Sequence, residues 1–332
     1  MNINSAIIGM GVGQKHFEAL ENYRGSKVKI ICEKDKKKLK KLKKKYPNKL
    51  ITSDENKIFS DKKINLVSIA SYDNFHYSQI LKSINTNKNI IVEKPMCLNF
   101  KQLQKIYFSL KKNKKIKITS NLVLRTNSLF LNFKKKINRK KIFYIEADYI
   151  WGRIHKLFGW RSKISGYSIT LGAAIHMIDL VMWILKLRPL SVQAFGNNIG
   201  TKKTIFKKKS MTVYIFKFPM NILVKVSANA ASTHDHFHEL KIFQKNLTLV
   251  NSNLGSYSYS NKKMKIKFEK INSTYPDRKN RKKLIHNFID TLINKKTKPI
   301  ISLKEQIDLM TVCFAADKAL KLKQKVNIKY LD

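Results

Sequence analysis

The strongest constraint in this chain lies in its first twenty residues. An apolar run, Asn4 to Ile8, ends at Gly9, and Gly9-Met10-Gly11-Val12-Gly13-Gln14-Lys15-His16 leads into a helical pattern from Phe17 to Leu20. Strand, glycine-rich turn and helix in that order make a dinucleotide cradle. The glycines let the backbone approach a pyrophosphate, which rests on the helix N-terminus. Gly9, Gly11, Val12, Gly13 and His16 are the candidate cofactor residues of this turn. The spacing departs from the usual one. A G-x-G-x-x-G would put its third glycine at position 14, where Gln14 stands, and here the third is Gly13.

The pattern that follows extends the cradle into a fold. Val28 to Cys32 reads as a second strand ending at Glu33, 20 residues beyond Gly13, where an acid takes the ribose 2′-OH and disfavours a 2′-phosphate. Lys34, Lys36, Lys37 and Lys38 follow at once and could soften that preference, so NAD is expected and NADP is left open. Leu66 to Ala70 reads as a strand, Phe75 to Thr86 as a helix and Asn89 to Val92 as a strand. Such alternation means a doubly wound parallel sheet with right-handed crossovers, an α/β architecture. Its ligands bind beyond the C-terminal strand ends, where Ser71, His76, Glu93 and Lys94 stand.

Charge raises a competing reading. The chain has 68 Lys plus Arg against 21 Asp plus Glu among 332 residues, a net +47, which invites nucleic acid. Yet 60 of the basic residues are Lys and only eight are Arg, Gly, Pro and Ala are scarce, and Asn and Ile are abundant. That is the usage of an AT-rich genome, whereas phosphate and base recognition favours the planar fork of Arg. In the longest run, Lys36 to Lys45, Leu39, Leu42 and Tyr46 fall on one helical stripe and the lysines form its solvated face. No specific nucleic-acid partner is expected, although such a surface draws anionic ligands. The shortage of Asp and Glu is not explained by codon usage.

No membrane span is expected. Ile175 to Leu187 is interrupted by His176, Asp179 and Lys186, and a span needs about 20 apolar residues. The N-terminus lacks the basic region of a signal peptide. Cys32, Cys97 and Cys313 are scattered and form no CxxC pair. A cytoplasmic protein with reduced thiols is the expectation.

Glu93-Lys94-Pro95 directly follows the strand Asn89 to Val92, about 80 residues after the glycine turn. Ala70-Ser71 with His76, the segment Asn121 to Arg125, Trp160-Arg161, and His176-Met177-Ile178-Asp179 with Trp183 follow in order. Together these resemble the Gfo/Idh/MocA oxidoreductases, nicotinamide-dependent enzymes that act mainly on sugars, polyols and nucleotide-sugars. The resemblance runs through roughly residues 3 to 325.

It implies a dinucleotide-binding Rossmann domain over residues 1–120. It also implies an α+β domain over 121–332 with a large, mostly antiparallel sheet that serves a homodimer or homotetramer. The last helix, 303–322, is expected to pack back on the first domain. Lys94 would lie by the nicotinamide and the reacting hydroxyl, with its pKa lowered by the positive ring, and Pro95 is expected to be cis. His176 would take the hydroxyl proton as hydride leaves. Arg125, Arg153 and Arg161 are candidates for an anionic group of the substrate. The chain departs from the family at Gly172, where an Asp usually precedes the histidine by four residues. Tyr167 and Thr170 offer hydroxyls near that gap, and Asp179, at i+3, could orient the imidazole or support packing.

The remainder reads as strands at Ile142–Trp151, Leu190–Gly196, Met211–Phe218, Ile222–Ala230, Glu239–Phe243, Leu247–Val250 and Met264–Phe268, with a hairpin turn at Pro219-Met220-Asn221. A helix is expected from Asp277 to about Asn294, and Ser302-Leu303-Lys304-Glu305 reads as a capping box. His234, His236 and His238 would share one face of a strand, but exposed histidines at a sheet edge account for them more simply than zinc, so no metal is expected. The chain thus reads as an NAD(P)-dependent dehydrogenase or reductase acting on a CH–OH group of a sugar, polyol or nucleotide-sugar. Gly172 leaves room for a catalytically impaired dinucleotide-binding sensor or assembly subunit. A basic nucleic-acid binder is the third alternative.

Overall fold

A run such as Leu66-Val67-Ser68-Ile69 has no polar face, so it can sit only in a sheet covered on both sides. All four residues are buried. The computed structural model describes residues 2–262, 265–272, 275 and 281–331. The chain divides into two units, one of residues 1–123 with 279–307 and the other of residues 124–278 with 308–332.

In the first unit the strands are β1 (Ile3–Ile8), β2 (Ser26–Cys32), β3 (Leu50–Thr52), β4 (Leu66–Ile69), β5 (Asn89–Val92) and β6 (Ile118–Ser120). They pair in parallel in the order β3-β2-β1-β4-β5-β6. Helices α1 (Gly13–Glu21), α2 (Lys36–Lys45), α3 (Asn56–Ser60), α4 (Asp73–Asn85) and α5 (Phe100–Lys112) make the crossovers. The order reverses between β1 and β4, which fixes the ligand crevice beyond their C-terminal ends. The α2 stripe packs as the sequence suggests: Leu42 is buried and Leu39 and Tyr46 lie against the core. Short strands β3 and β6 escape the sequence reading because three residues carry no period.

The second unit opens with α6 (Ser128–Lys136), β7 (Ile142–Ile150), α7 (Trp160–Lys163) and α8 (Ile175–Leu185). Then come β8 (Ser191–Asn197), β9 (Met211–Lys217), β10 (Leu223–Asn229), β11 (Phe237–Gln244), β12 (Leu247–Ser252), β13 (Gly255–Lys262) and β14 (Lys265–Lys270). With β15 (Val326–Asn327) they form a nine-stranded sheet in the order β14-β13-β12-β11-β7-β10-β9-β8-β15. It is antiparallel except for β10 beside β7. The β9–β10 turn holds Met220 and Asn221 at positive φ, as a tight hairpin requires. Of the strand expected at Met264–Phe268, Met264 lies outside the described residues. So does Asp277, the expected start of the helix found as α9 (Arg281–Ile293).

Helix α9 belongs to the first unit, and α10 (Leu303–Leu322) begins there. Ile285, Phe288 and Ile289 enter the core with Ile7, Phe17 and Leu20. The His286 ring meets the Ala19 carbonyl at 2.9 Å, Tyr23 donates to Asp290 and Lys117 to the Thr291 carbonyl. α10 starts in the first unit, where Gln306 Nε2 donates to the Ile118 carbonyl at 3.1 Å, and belongs to the second from Asp308 on.

The capping box at the head of α10 is closed both ways. Glu305 N donates to Ser302 Oγ at 3.2 Å, and Ser302 N donates to Glu305 Oε2 at 2.9 Å. Ser302→Ala removes one of these partners and should cost about 1 kcal/mol in chemical denaturation, while Ser302→Asp should cost less. Equal stability of Ser302→Ala and wild type would refute the cap.

Candidate functional site

The glycine turn spans β1 and α1, and each glycine answers a different demand. Gly9 has φ +89, and a Cβ there would stand 2.6 Å from the Ala70 carbonyl oxygen. Gly13 is already the first helical residue, and its Cβ would press on Ile7 Cγ2 at 3.1 Å and Ala70 Cβ at 3.2 Å. That is the close helix-to-strand contact expected of a third glycine, so the shortened spacing retains its role. Gly11 has no protein atom within 4 Å of its Cβ position. Packing therefore does not call for glycine there, whereas a ligand approaching the backbone does. No side chain caps the N-terminus of α1, and no acid stands in its first turn. An uncapped helix end under an open glycine turn suits a pyrophosphate, so these residues fit a bound dinucleotide.

Glu33 follows β2 and is buried, and its carboxylate is already engaged. Met10 N donates to Oε2 at 2.9 Å and Asp35 N to Oε1 at 3.0 Å. The residue expected to meet the ribose therefore also ties the glycine turn to the end of β2. Lone pairs remain for a diol.

Beyond β5, Glu93 belongs to a buried polar cluster. His16, 1% exposed, contacts Ser68 Oγ at 2.7 Å through Nδ1 and Glu93 Oε1 at 2.9 Å through Nε2. Asn121 Nδ2 donates to the same Glu93 oxygen at 2.6 Å. Burial pushes the Glu93 carboxyl up, but the His16 hydrogen bond and charge, with Asn121 and Lys94, outweigh it and hold the carboxyl below its usual range. Both nitrogens of His16 are occupied, so it acts on the site through Glu93 and not by facing a ligand. His76 is similar: fully buried, it meets the Pro95 carbonyl at 2.7 Å and the Ser71 carbonyl at 3.1 Å. It joins the loop after β4 to the loop after β5. The Lys94–Pro95 peptide is cis, and Lys94 is half-buried. The Ser71 hydroxyl donates to Gln79 Oε1 at 2.7 Å. Val12, at 44% exposure, stands at the open tip of the turn.

In the second unit two expected substrate residues turn out to be committed to each other. Arg125 Nη2 lies 2.6 Å from Asp179 Oδ1, and Nε contacts both carboxylate oxygens at 3.1 Å. Their side chains are 2% and 1% exposed. Each thus answers the other's charge inside the unit.

The chain around Gly172 shows what replaces a side chain there. Thr170–Ala174 forms a π-helical turn leading into α8. A Cβ on Gly172 would come within 2.1 Å of the Tyr167 hydroxyl oxygen. Tyr167 therefore fills the notch and needs the glycine. Thr170 contacts the Tyr214 hydroxyl at 2.6 Å and donates to Asp317, and Ser168 Oγ donates to Asp317 at 2.7 Å. Burial pushes the Asp317 carboxyl up to about 6 against the pull of these hydroxyls.

His176 lies one helical turn on, half-buried, stacked on Tyr149 with centroids 5.8 Å apart and rings 9° from parallel. His238, opposite Tyr149 in the β7–β11 ladder, meets its ring edge-on at 4.8 Å, and His236 does so at 5.2 Å. The expected row of exposed edge histidines is not found. β11 is interior to the sheet, His238 is buried, and His234 bonds to the Asp235 carbonyl and to Asn253. Among the described residues no three His, Cys, Asp or Glu side chains are grouped to hold a metal, and no helix is long and apolar enough to cross a membrane. Arg153 and Arg161 are half-buried, and Arg161 lies over the rings of Trp151 and Trp160.

Several contributors were not legible beforehand. Ser68 left a faint signal, a hydroxyl in an otherwise apolar buried strand. Tyr149, Trp151 and Asp317 left none, because a strand aromatic or a helical Asp has an ordinary packing or surface reading.

The geometry agrees with what the chain is similar to. The family model described as "Oxidoreductase family, NAD-binding Rossmann fold" matches residues 3–121. The inositol 2-dehydrogenase of Salmonella typhimurium strain LT2 is 22% identical over 241 residues, 71% of this chain and 70% of that protein. Among solved structures, a levoglucosan dehydrogenase in complex with NADH superposes with a TM-score of 0.85 at 17% identity, covering 100% of both chains. A scyllo-inositol dehydrogenase from Lactobacillus casei with bound NAD(H) and scyllo-inositol gives 0.81 at 16% identity, over 98% of this chain and 99% of that one.

Two outcomes follow from the second unit's buried charges. Arg125→Met strands the Asp179 carboxylate and should cost about 3–5 kcal/mol in denaturant unfolding. Arg125→Met with Asp179→Leu should recover most of that loss, and an additive double variant would contradict the pairing. Asp317 binds its proton more tightly in the folded chain than at the ordinary 3.8. Its contribution is therefore greatest below about pH 4 and is lost as pH rises through about 6. The stability difference between wild type and Asp317→Asn should change across that window and be flat above it.

Proposed function

We propose, from the match of residues 3–121 to the Gfo/Idh/MocA oxidoreductase family model with its NAD-binding Rossmann fold, that the chain is an NAD-dependent dehydrogenase or reductase of a sugar or polyol CH–OH group. The observation that carries the reading is the open glycine turn over the uncapped α1, at the reversal point of the sheet, with Lys94 after the neighbouring β5. The dehydrogenases of inositols and levoglucosan among its relatives support the substrate class.

When bound, the nicotinamide supplies or accepts the hydride. The Gly11–Gly13 backbone and the first amides of α1 hold the pyrophosphate, and Glu33 keeps the turn in place while offering its remaining lone pairs to the ribose. Glu33 favours NAD over NADP by the charge it sets against a 2′-phosphate. Lys94 donates a hydrogen bond to the reacting oxygen and, with His176, carries the hydroxyl proton. The Glu93 carboxylate, kept ionised by His16 and Asn121, sits next to Lys94 in the chain. A second reading, a dinucleotide-binding sensor, is favoured by one observation: Tyr167 occupies the space of a side chain at Gly172.

The test is a fluorescence titration with NADH and NADPH at low and moderate salt, followed by NAD+ reduction on myo-inositol, scyllo-inositol and levoglucosan. NADH binding should survive the added salt and exceed that of NADPH. Lys94→Ala should leave the NADH affinity within about threefold and lower turnover by about 10²–10⁴-fold. Loss of NADH binding on raising salt overturns the cofactor site. Binding without turnover of any polyol moves the chain to the sensor reading.

A further inference from the structure

Just past the end of β7 the chain brings together two unmet donors and three cations. Trp151 is 4% exposed, and its indole Nε1 is sealed from solvent with no hydrogen-bond partner among the described residues. The Nε of Arg153, two residues on, is in the same condition. A buried donor left unmet loses its hydration without recompense, so two of them on one short segment call for an acceptor from outside the chain. Arg161 lies over the Trp160 ring at 4.2 Å and over the Trp151 ring at 5.5 Å. Its Nη1 donates to the Lys156 carbonyl at 3.2 Å, and the Lys156 amide donates to the Arg153 carbonyl at 3.0 Å.

Three cations thus share one short stretch. Among the described residues no Asp or Glu oxygen stands within 4.0 Å of them. Burial, and then the positive charges of Arg153 and Arg161, hold the Lys156 ammonium below its usual range.

The cluster borders the surroundings of His176 from two directions. Trp151 meets Tyr149 edge-on at 6.0 Å, and Tyr149 is the ring on which His176 stacks. Trp160 meets Tyr167 at 6.1 Å, and Tyr167 fills the notch at Gly172, one turn before His176.

We propose that Trp151, Arg153, Lys156, Trp160 and Arg161 form a subsite for the oxyanion of an acidic sugar, a carboxylate or a phosphate ester. The guanidinium forks take the oxyanion and the indoles lie against the sugar's C–H face. A neutral polyol supplies hydroxyl acceptors but not the negative charge that the three cations lack. The sugar part of this assignment rests on the oxidoreductase reading above; the anion part does not.

The experiment is calorimetric titration of the full chain, with NADH present and at one fixed ionic strength. The probes are glucuronate, glucose 6-phosphate, glucose and inorganic phosphate. An acidic sugar should bind at least about tenfold more tightly than glucose. Arg161→Gln should remove that advantage and leave glucose and NADH binding within about twofold. The glucuronate and glucose 6-phosphate arms tell a carboxylate site from a phosphate site. Equal binding of glucose and the acids, or an unchanged advantage in Arg161→Gln, overturns the subsite. Inorganic phosphate binding as tightly as the sugar acids overturns it too, because the cluster would then be a general anion site. Should Arg161→Gln fold poorly, Lys156→Gln at an exposed residue carries the same comparison. If NADH does not bind while the acidic sugar does, the oxidoreductase reading falls and the subsite stands.

Discussion

The backbone at Gly9 runs so near Ala70 that a Cβ would come within 2.6 Å of its carbonyl oxygen. Much of the first unit depends on that approach. It lets β1 and β4 end side by side, with Gly9 N bonded to the Cys32 carbonyl at 2.8 Å and Ala70 N bonded to the Ile8 carbonyl at 2.8 Å. The sheet order reverses at this pair, so the crevice opens above it. Gly13 then brings α1 down onto Ile7 and Ala70 and turns its amides towards the same space. One requirement for a missing side chain sets both the close packing below and the open cradle above.

The polar cluster under Lys94 extends the same economy of position. A carboxylate buried beside an apolar sheet would normally take up a proton. Glu93 stays below its usual range because His16 reaches it from α1 and Asn121 from the segment after β6, while Ser68 of β4 holds the other nitrogen of His16. Two elements thus converge on one acid and a third fixes the imidazole between them. His76 does the same for the loops after β4 and β5 through two carbonyls. These side chains shape the site from behind, and a variant of His16 or His76 acts through the backbone and Glu93, not through a lost ligand contact.

What could be read from sequence and what could not separate along physical lines. The glycine turn, the β–α alternation, the α2 stripe and the Ser302 cap are local, because a short window contains both partners of each interaction. The Arg125–Asp179 pair joins residues 54 apart in the chain, and neither has a neighbour that betrays the other. Tyr167 entering the notch at Gly172 is five residues away, but the direction of a side chain across a π turn leaves no period. β13 alternates Ser with Tyr and contains Gly255, so its strand character comes from pairing with β12 and β14 and not from an apolar face. α9 was legible as a helix. Its attachment to α1 was not, since an amphipathic pattern names no partner.

The scarcity of carboxylates takes on a physical sense once their places are known. Glu21 accepts Val28 N and Lys49, Glu55 accepts Gln79 and Lys82, and Asp35 caps α2. Asp54 and Asp61 close turns, Asp148 holds Lys225 and Ser227, and Asp290 receives Tyr23. With Glu33, Glu93, Asp179, Glu305 and Asp317, many of the 21 acids have a structural partner. The lysines vastly outnumber them, and many are exposed to solvent. Such a surface attracts every anion weakly and none selectively, and salt screens it over about 10 Å. Selectivity needs donors that are desolvated and fixed, which in this chain means backbone amides and arginines. The eight arginines matter more than the sixty lysines for that reason. Arg125 is committed to Asp179, whereas Arg161 is held against two indoles and neither it nor Arg153 has an acid in reach among the described residues, where a selective oxyanion contact can form.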